Sequence, residues 1–285
     1  MIIKKYLSII SHNSRLFSSN YSIKSWLINF KGGSVYLHYP NKNISNLIIN
    51  NPESHNSLTG EMMSQMDDCV EVLEKKPPKG LIISSKSGSF CSGGNLEFVQ
   101  QISHPEDGDK MCQFMQSITK RIENLPSLSI ALVEGVAYGG GAELSLCCDF
   151  RFISPNGKIS FKQRNLGVTT GWGGCHKLIQ LIGKQETLKY LLSTDVINAD
   201  KALEIGLVDR ILASNTPEER LRETINNLMS MIDEVPENVL FAIKTLISEI
   251  SNLNADCALN IERKVFQTVW GNKDHLEALK KKILK

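Results

Sequence analysis

From about Gly32 the chain alternates short, mostly apolar runs with longer stretches whose apolar positions recur every three to four residues. Val35-Tyr36-Leu37-His38-Tyr39 and Leu47-Ile48-Ile49 read as strands. Gly80-Leu81-Ile82-Ile83-Ser84 and Ser129–Val133 read as strands covered on both faces, because a strand with one wet face would alternate. Phe150-Arg151-Phe152-Ile153 predicts a further strand. Thr59, followed by Glu61, is a good N-cap for an amphipathic helix through about Lys75, which Pro77-Pro78 ends. Helices are also expected near Glu106–Asn124 and from Ala142 to about Cys148. Beyond Gly173 the pattern is helical, over 174–182, 185–192, 199–205, 217–233, 235–250 and 255–283. The pattern predicts a βαβ core over 32–205 and a helical region over 206–285.

Residues 1–31 stand apart. They are rich in Ser, Asn, Ile and Leu, and the first acidic residue of the chain is Glu53. This is the composition of a mitochondrial presequence, and Arg15-Leu16-Phe17-Ser18 looks like a processing site; a frayed basic terminus that targets nothing has the same composition. Either way the segment is expected to lie outside the fold. Without Lys4, Lys5, Arg15, Lys24 and Lys31 the body holds 27 basic against 30 acidic residues. A net charge of −3 on the body argues against nucleic-acid binding. At 285 residues the chain can bury a sizeable core, and no apolar run approaches the ~18 residues of a membrane span. Seven cysteines without a C-x-x-C pair predict buried thiols in a reducing compartment. No metal-ligand spacing occurs, so neither metal nor cofactor is expected.

Two glycine-rich turns each follow a buried strand: Ser87-Gly88-Ser89-Phe90-Cys91-Ser92-Gly93-Gly94-Asn95-Leu96 and Glu134-Gly135-Val136-Ala137-Tyr138-Gly139-Gly140-Gly141-Ala142-Glu143-Leu144. Such turns expose backbone N–H groups and let a ligand come close, and a helix starting there adds positive potential. On neighbouring strands the two would aim two donors at one oxygen, an oxyanion hole made of main chain. The plainer reading is a pair of tight turns. A nucleotide-phosphate loop is disfavoured, since neither turn is G-x-x-x-x-G-K-[ST]. Cys91 has no histidine near it in sequence and reads as a packing residue.

Asn51-Pro52-Glu53-Ser54-His55-Asn56-Ser57-Leu58, Phe90-Cys91-Ser92-Gly93-Gly94-Asn95-Leu96, Gly139-Gly140-Gly141-Ala142-Glu143-Leu144 and Cys148-Asp149-Phe150-Arg151 together resemble the crotonase (enoyl-CoA hydratase/isomerase) superfamily, in order and over nearly all of the chain outside the leader. The resemblance implies an α/β fold with a spiral ββα core and a helical C-terminal trimerisation region. It further implies an acyl-CoA substrate, homotrimers or homohexamers, and a thioester oxygen held by the N–H groups of Ser92 and Gly140. Asn56 and Ser57 fall in the segment that looks like the CoA-binding turn, with Phe90, Gly139 and Trp172 lining the substrate. The Leu276–Lys282 segment could bring cations to CoA phosphates, although a lysine run ending a helix also suits the dipole.

Hydratases of this superfamily pair two glutamates. Glu143 occupies the first position, whereas Gln163 stands at the second. An amide has no titratable proton and cannot serve as the acid or base that hydration calls for. Loss of carbon dioxide from a malonyl-type thioester needs the oxyanion hole but no second base. His104-Pro105-Glu106-Asp107-Gly108, Gly171-Trp172-Gly173-Gly174 and Thr268-Val269-Trp270-Gly271-Asn272 resemble the branch of the superfamily that decarboxylates ethylmalonyl-CoA. That branch converts ethylmalonyl-CoA to butyryl-CoA and, more weakly, methylmalonyl-CoA to propionyl-CoA, and is cytosolic. Glu143 or a buried water is then the expected proton donor. A hydratase or isomerase, and a non-catalytic acyl-CoA- or RNA-binding protein, are the competing readings; the leader keeps the mitochondrial matrix open.

Overall fold

The structure is a computed structural model that describes residues 22–250 and 255–283. Residues 22–27 form a helix, α1. There follow β1 (Ser34–Asn41), β2 (Ile44–Asn50), α2 (Gly60–Lys75), β3 (Gly80–Ser85), α3 (Leu96–Gln101), α4 (Pro105–Glu123), β4 (Leu128–Val133), β5 (Val136–Tyr138), α5 (Gly140–Ser145), β6 (Phe150–Ile153) and β7 (Lys158–Ser160). The remainder is α6 (Gly174–Ser193), β8 (Ile197–Asn198), α7 (Ala199–Glu204), β9 (Arg210–Ile211), α8 (Pro217–Ile232), α9 (Glu237–Ile250), α10 (Ala255–Val269) and α11 (Lys273–Ile283).

Six strands form one sheet in the order β1-β2-β3-β4-β6-β9, antiparallel between β1 and β2 and parallel thereafter. Three more form a small second sheet, β5-β7-β8. The unbroken apolar runs have the expected cause. Leu81, Ile83, Ala131 and Val133 join the core that also holds Met62, Met66 and Val70 of α2 and Phe114, Met115 and Ile118 of α4. Ile82, Ile130, Leu132 and Phe152 pack with Leu228 and Ile232 of α8 and Leu240 and Phe241 of α9. The central strands are therefore buried on both faces. Thr59 caps α2 as expected, its side-chain oxygen accepting from the Met62 N–H at 3.3 Å.

Several expectations are corrected. Residues 22–31 do not lie outside the fold: Ile23 and Leu27 are buried in the main core, and Lys24 pairs with Asp67 and Asp68 of α2 at 2.6 and 2.7 Å. Their spacing of four puts both apolar side chains on one helix face. The processing site at Arg15–Ser18 lies outside the described residues. The boundary at 206 cuts off β9, which pairs with β6 through Phe152↔Arg210 and Ile153↔Ile211. The expected break near residue 183 is present, as a non-helical Gly183 within α6, but 255–283 is two helices separated at Gly271, whose φ is +73°. α3 and the strands β7, β8 and β9 have no counterpart in the pattern reading. Among the described residues no helix is long and apolar enough to cross a membrane.

Candidate active site

The two glycine-rich turns lie side by side. Cys91 bridges to Ala137 in parallel fashion: the Phe90 and Cys91 N–H groups donate to Val136 O at 2.9 and 3.1 Å, and Tyr138 N–H donates to Cys91 O at 2.9 Å. Glycine is needed where the turns touch. A Cβ on Gly141 would stand 2.0 Å from Cys91 O, and one on Gly93 would stand 3.1 Å from Gly140 N. Gly139, with φ at +53°, faces open space, which leaves room for a ligand beside the turn.

The donor expected at Ser92 is corrected. Ser92 N–H is already spent on His55 O at 3.1 Å. One strand-like step further, Gly94 bridges Leu58: Leu58 N–H donates to Gly93 O and Asn95 N–H to Leu58 O. Successive peptide groups of an extended chain point to opposite sides, so Gly94 N–H points away from Leu58, and it has no hydrogen-bond partner. Gly140 N–H, in the first turn of α5, is likewise unpartnered, as orphan donors at a helix start are. Gly94 and Gly140 thus leave two unpartnered main-chain N–H groups where the turns touch, Gly93 lying against Gly140 N. The signal was present in the second glycine of the Gly93-Gly94 pair.

Trp172 roofs the second donor. It is 4% exposed, and a Cβ on Gly140 would come within 2.6 Å of its ring. Its indole N–H donates to Met111 Sδ at 3.2 Å, and its carbonyl accepts from Thr119 Oγ1 at 3.1 Å. Gln116 of α4 holds the carbonyl of Gly171 at 2.8 Å.

Glu143 sits beneath this turn, buried at 2% exposure. Its Oε1 accepts from Gln163 Nε2 at 2.7 Å and from Gly171 N–H at 3.2 Å. Its Oε2 accepts from the N–H groups of Trp172 and Gly174, both at 2.8 Å. Burial pushes the carboxyl above its ordinary range, while the three main-chain N–H groups and the Gln163 amide hold it back. Glu143 and Gln163 are thus brought together as expected. Phe161 is fully buried beside them in sequence and belongs to the main core.

Other expected contacts turn inward. Asn56 is fully buried; its Oδ1 accepts from Asn51 N–H at 2.6 Å, and its Nδ2 donates to Lys86 O and Ser89 O at 2.9 and 2.6 Å. Ser57 Oγ donates to Ser54 Oγ at 2.9 Å and accepts from Asn95 Nδ2 at 3.3 Å. Phe90 is in the core. These three brace the loops, and their side chains are spent before any ligand arrives. Cys91 is a packing residue, its thiol pushed by burial up to about 12. Trp270 is 62% exposed and stacks on Phe266 and His275 with ring centres 5.0 and 4.5 Å apart. The side chains of Lys280–Lys282 lie outside the described residues. Among the described residues no group of three or more His, Cys, Asp or Glu is placed to hold a metal ion.

The family profile described as "Enoyl-CoA hydratase/isomerase" matches residues 40–281. The chain is 39% identical over 272 residues to a Xenopus tropicalis protein named ethylmalonyl-CoA decarboxylase, covering 93% of this chain and 90% of that one. It is 40% identical over 261 residues to a Bos taurus protein of the same name, covering 91% and 85%. The crystal structure of an enoyl-CoA hydratase from Bacillus anthracis superposes with a TM-score of 0.80 at 24% identity, covering 87% of this chain and 95% of that one.

Proposed function

This chain belongs to the enoyl-CoA hydratase/isomerase family, and from that premise we propose that it is a decarboxylase of branched malonyl-CoA thioesters, acting on ethylmalonyl-CoA and more weakly on methylmalonyl-CoA. The observation that carries the reading is the partner of Glu143. Where a hydratase places a second glutamate the site holds the Gln163 amide, bonded to Glu143 at 2.7 Å. Water activation and proton transfer at the α-carbon call for two titratable groups, and this pair supplies one.

Decarboxylation asks less of the side chains. The bond from the α-carbon to the carboxylate carbon breaks, carbon dioxide leaves, and the electron pair passes into an enolate whose charge rests on the thioester oxygen. The N–H groups of Gly94 and Gly140 are suited to hold that oxygen, each worth roughly 10²–10³ in rate. A proton from water then adds to the α-carbon, giving butyryl-CoA from ethylmalonyl-CoA. Trp172, backed by Met111, supplies an apolar wall over Gly140, which disfavours the charged carboxylate relative to neutral carbon dioxide. The names of the relatives support the same substrate.

Self-association as a homotrimer or homohexamer is part of this proposal. It is supported by apolar side chains left exposed near and along α6, among them Leu166, Val168, Leu188, Leu192 and Val196. So is a cytosolic location, which cell fractionation would decide.

The test is carbon dioxide release from ethylmalonyl-CoA by the full chain, with crotonyl-CoA hydration measured alongside. Release without hydration is the expected result. Hydration without release would overturn the assignment in favour of a hydratase.

A further inference from the structure

The Glu143 carboxylate has a donor on every side: Gln163 and Gly171 on Oε1, Trp172 and Gly174 on Oε2. Its stem is equally confined, since a Cβ on Gly174 would stand 2.5 Å from Glu143 Cγ. Gly174 opens α6, and the N-cap residue Gly173 has no side chain with which to satisfy the first N–H groups of that helix. Glu143 satisfies the first of them, Gly174 N–H, from a distance of some thirty residues in sequence, at the positive end of the helix, where a carboxylate is favoured. The same bonds hold the N–H side of the turn whose carbonyls are held by Gln116 and Thr119. Between these two grips Trp172 lies against Gly140. The Gln163 amide is oriented by Glu143 as well. With Nε2 turned to the carboxylate, its Oε1 is left buried with no hydrogen-bond partner.

A carboxylic acid that delivers a proton to substrate must carry it on an oxygen that reaches the reacting carbon. On Glu143, Oε2 would have to give up a main-chain N–H to do so, and Oε1 either the Gly171 N–H or the Gln163 amide; a buried N–H left unpaired is costly. Resting on the decarboxylase reading above, we propose that Glu143 is a positioning residue: it stays ionised, locks the Gly171–Gly174 turn and so seats Trp172 over the Gly140 donor, while the proton reaches the enolate from water. The group at the family's first glutamate position thereby acts through Trp172 and through main-chain geometry.

The chain has three tryptophans, Trp26, Trp172 and Trp270, so the full protein labelled with 5-fluorotryptophan gives one fluorine resonance from each, with Trp172 assigned by its loss in Trp172→Phe. Glu143→Gln places an amide NH₂ among N–H donors. The expected result is a shifted or broadened Trp172 resonance with those of Trp26 and Trp270 unmoved, a kcat lower by on the order of 10²-fold, and a pH profile of kcat that keeps its shape. An unmoved Trp172 resonance together with loss of the alkaline limb of that profile would overturn the proposal and make Glu143 the proton donor. Should Glu143→Gln fail to fold, Glu143→Asp serves: its shorter stem cannot keep all four bonds, so the same shift is expected, and an unmoved resonance overturns the proposal. The fluorine spectrum needs no substrate. If the wild type releases no carbon dioxide, the function fails while the spectrum still reports whether Glu143 seats Trp172.

Discussion

Trp172 and Gly140 are in direct apposition: a methyl group on Gly140 would stand 2.6 Å from Cζ3 of the indole and 2.8 Å from two further ring atoms. The ring occupies the volume that any side chain at position 140 would need. Gly140→Ala is therefore expected to push Trp172 off its seat while leaving the N–H in place. We expect kcat for carbon dioxide release to fall by on the order of 10²-fold, with far-ultraviolet circular dichroism unchanged. Wild-type rates in a folded Gly140→Ala protein would show that the ring contact is irrelevant to the chemistry.

Asn56 distinguishes bracing from ligand contact. Replacing it with Ala strands Asn51 N–H and leaves Lys86 O and Ser89 O with only the Ser87 and Ser85 hydroxyls, so Asn56→Ala is expected to cost about 1–3 kcal/mol of stability. Urea titration checks this. A raised KM with an unchanged urea midpoint would return Asn56 to the CoA site.

The segment over 22–31 belongs to the fold, so where a shortened chain begins matters. Ile23 and Leu27 are buried, and Lys24 holds two aspartates of α2. A chain starting at residue 32 should melt roughly 5–10 °C below one starting at residue 22, reflecting the loss of two core side chains. Equal melting temperatures would show that α1 contributes nothing.

Thiol chemistry follows burial. Cys257 is exposed, whereas burial pushes the Cys69 and Cys91 thiols up to about 11 and about 12. A disulfide exchange reagent at pH 8 should label Cys257 and spare Cys69 and Cys91 until urea unfolds the chain. Because Cys91 ionises from 9.0 when unfolded and near 12 when folded, its contribution to stability is complete below pH 9 and is lost as pH rises toward 12. The stability advantage of wild type over Cys91→Ala should accordingly shrink over that interval.

What was legible in the chain was what local chemistry encodes. The apolar runs of β3 and β4, Thr59 as a cap, and glycine-rich turns after buried strands are each signalled within a few residues. The pairing of Glu143 with Gln163 was also visible, since both fall at fixed places in a known pattern. What could not be read depends on partners distant in sequence. Whether Ser92 or Gly94 offers a free N–H is decided by His55 and Leu58, more than thirty residues upstream. Asn56 looked like a ligand contact because its polarity is evident, whereas the carbonyls that consume it at Lys86 and Ser89 are not. The two-residue strands β8 and β9 carry too little pattern to register, and in α1 the lysine and serines hid two core side chains.

In the proposed mechanism Gly94 and Gly140 act through their peptide nitrogens, which every residue except proline possesses. Point replacement can crowd or tilt such a donor but rarely removes it. The parts open to change are the side chains around it: Glu143, Gln163, Trp172 and Met111. A scaffold organised this way can exchange one reaction for another by altering its walls and proton carriers, while the means of stabilising an enolate is inherited intact with the backbone.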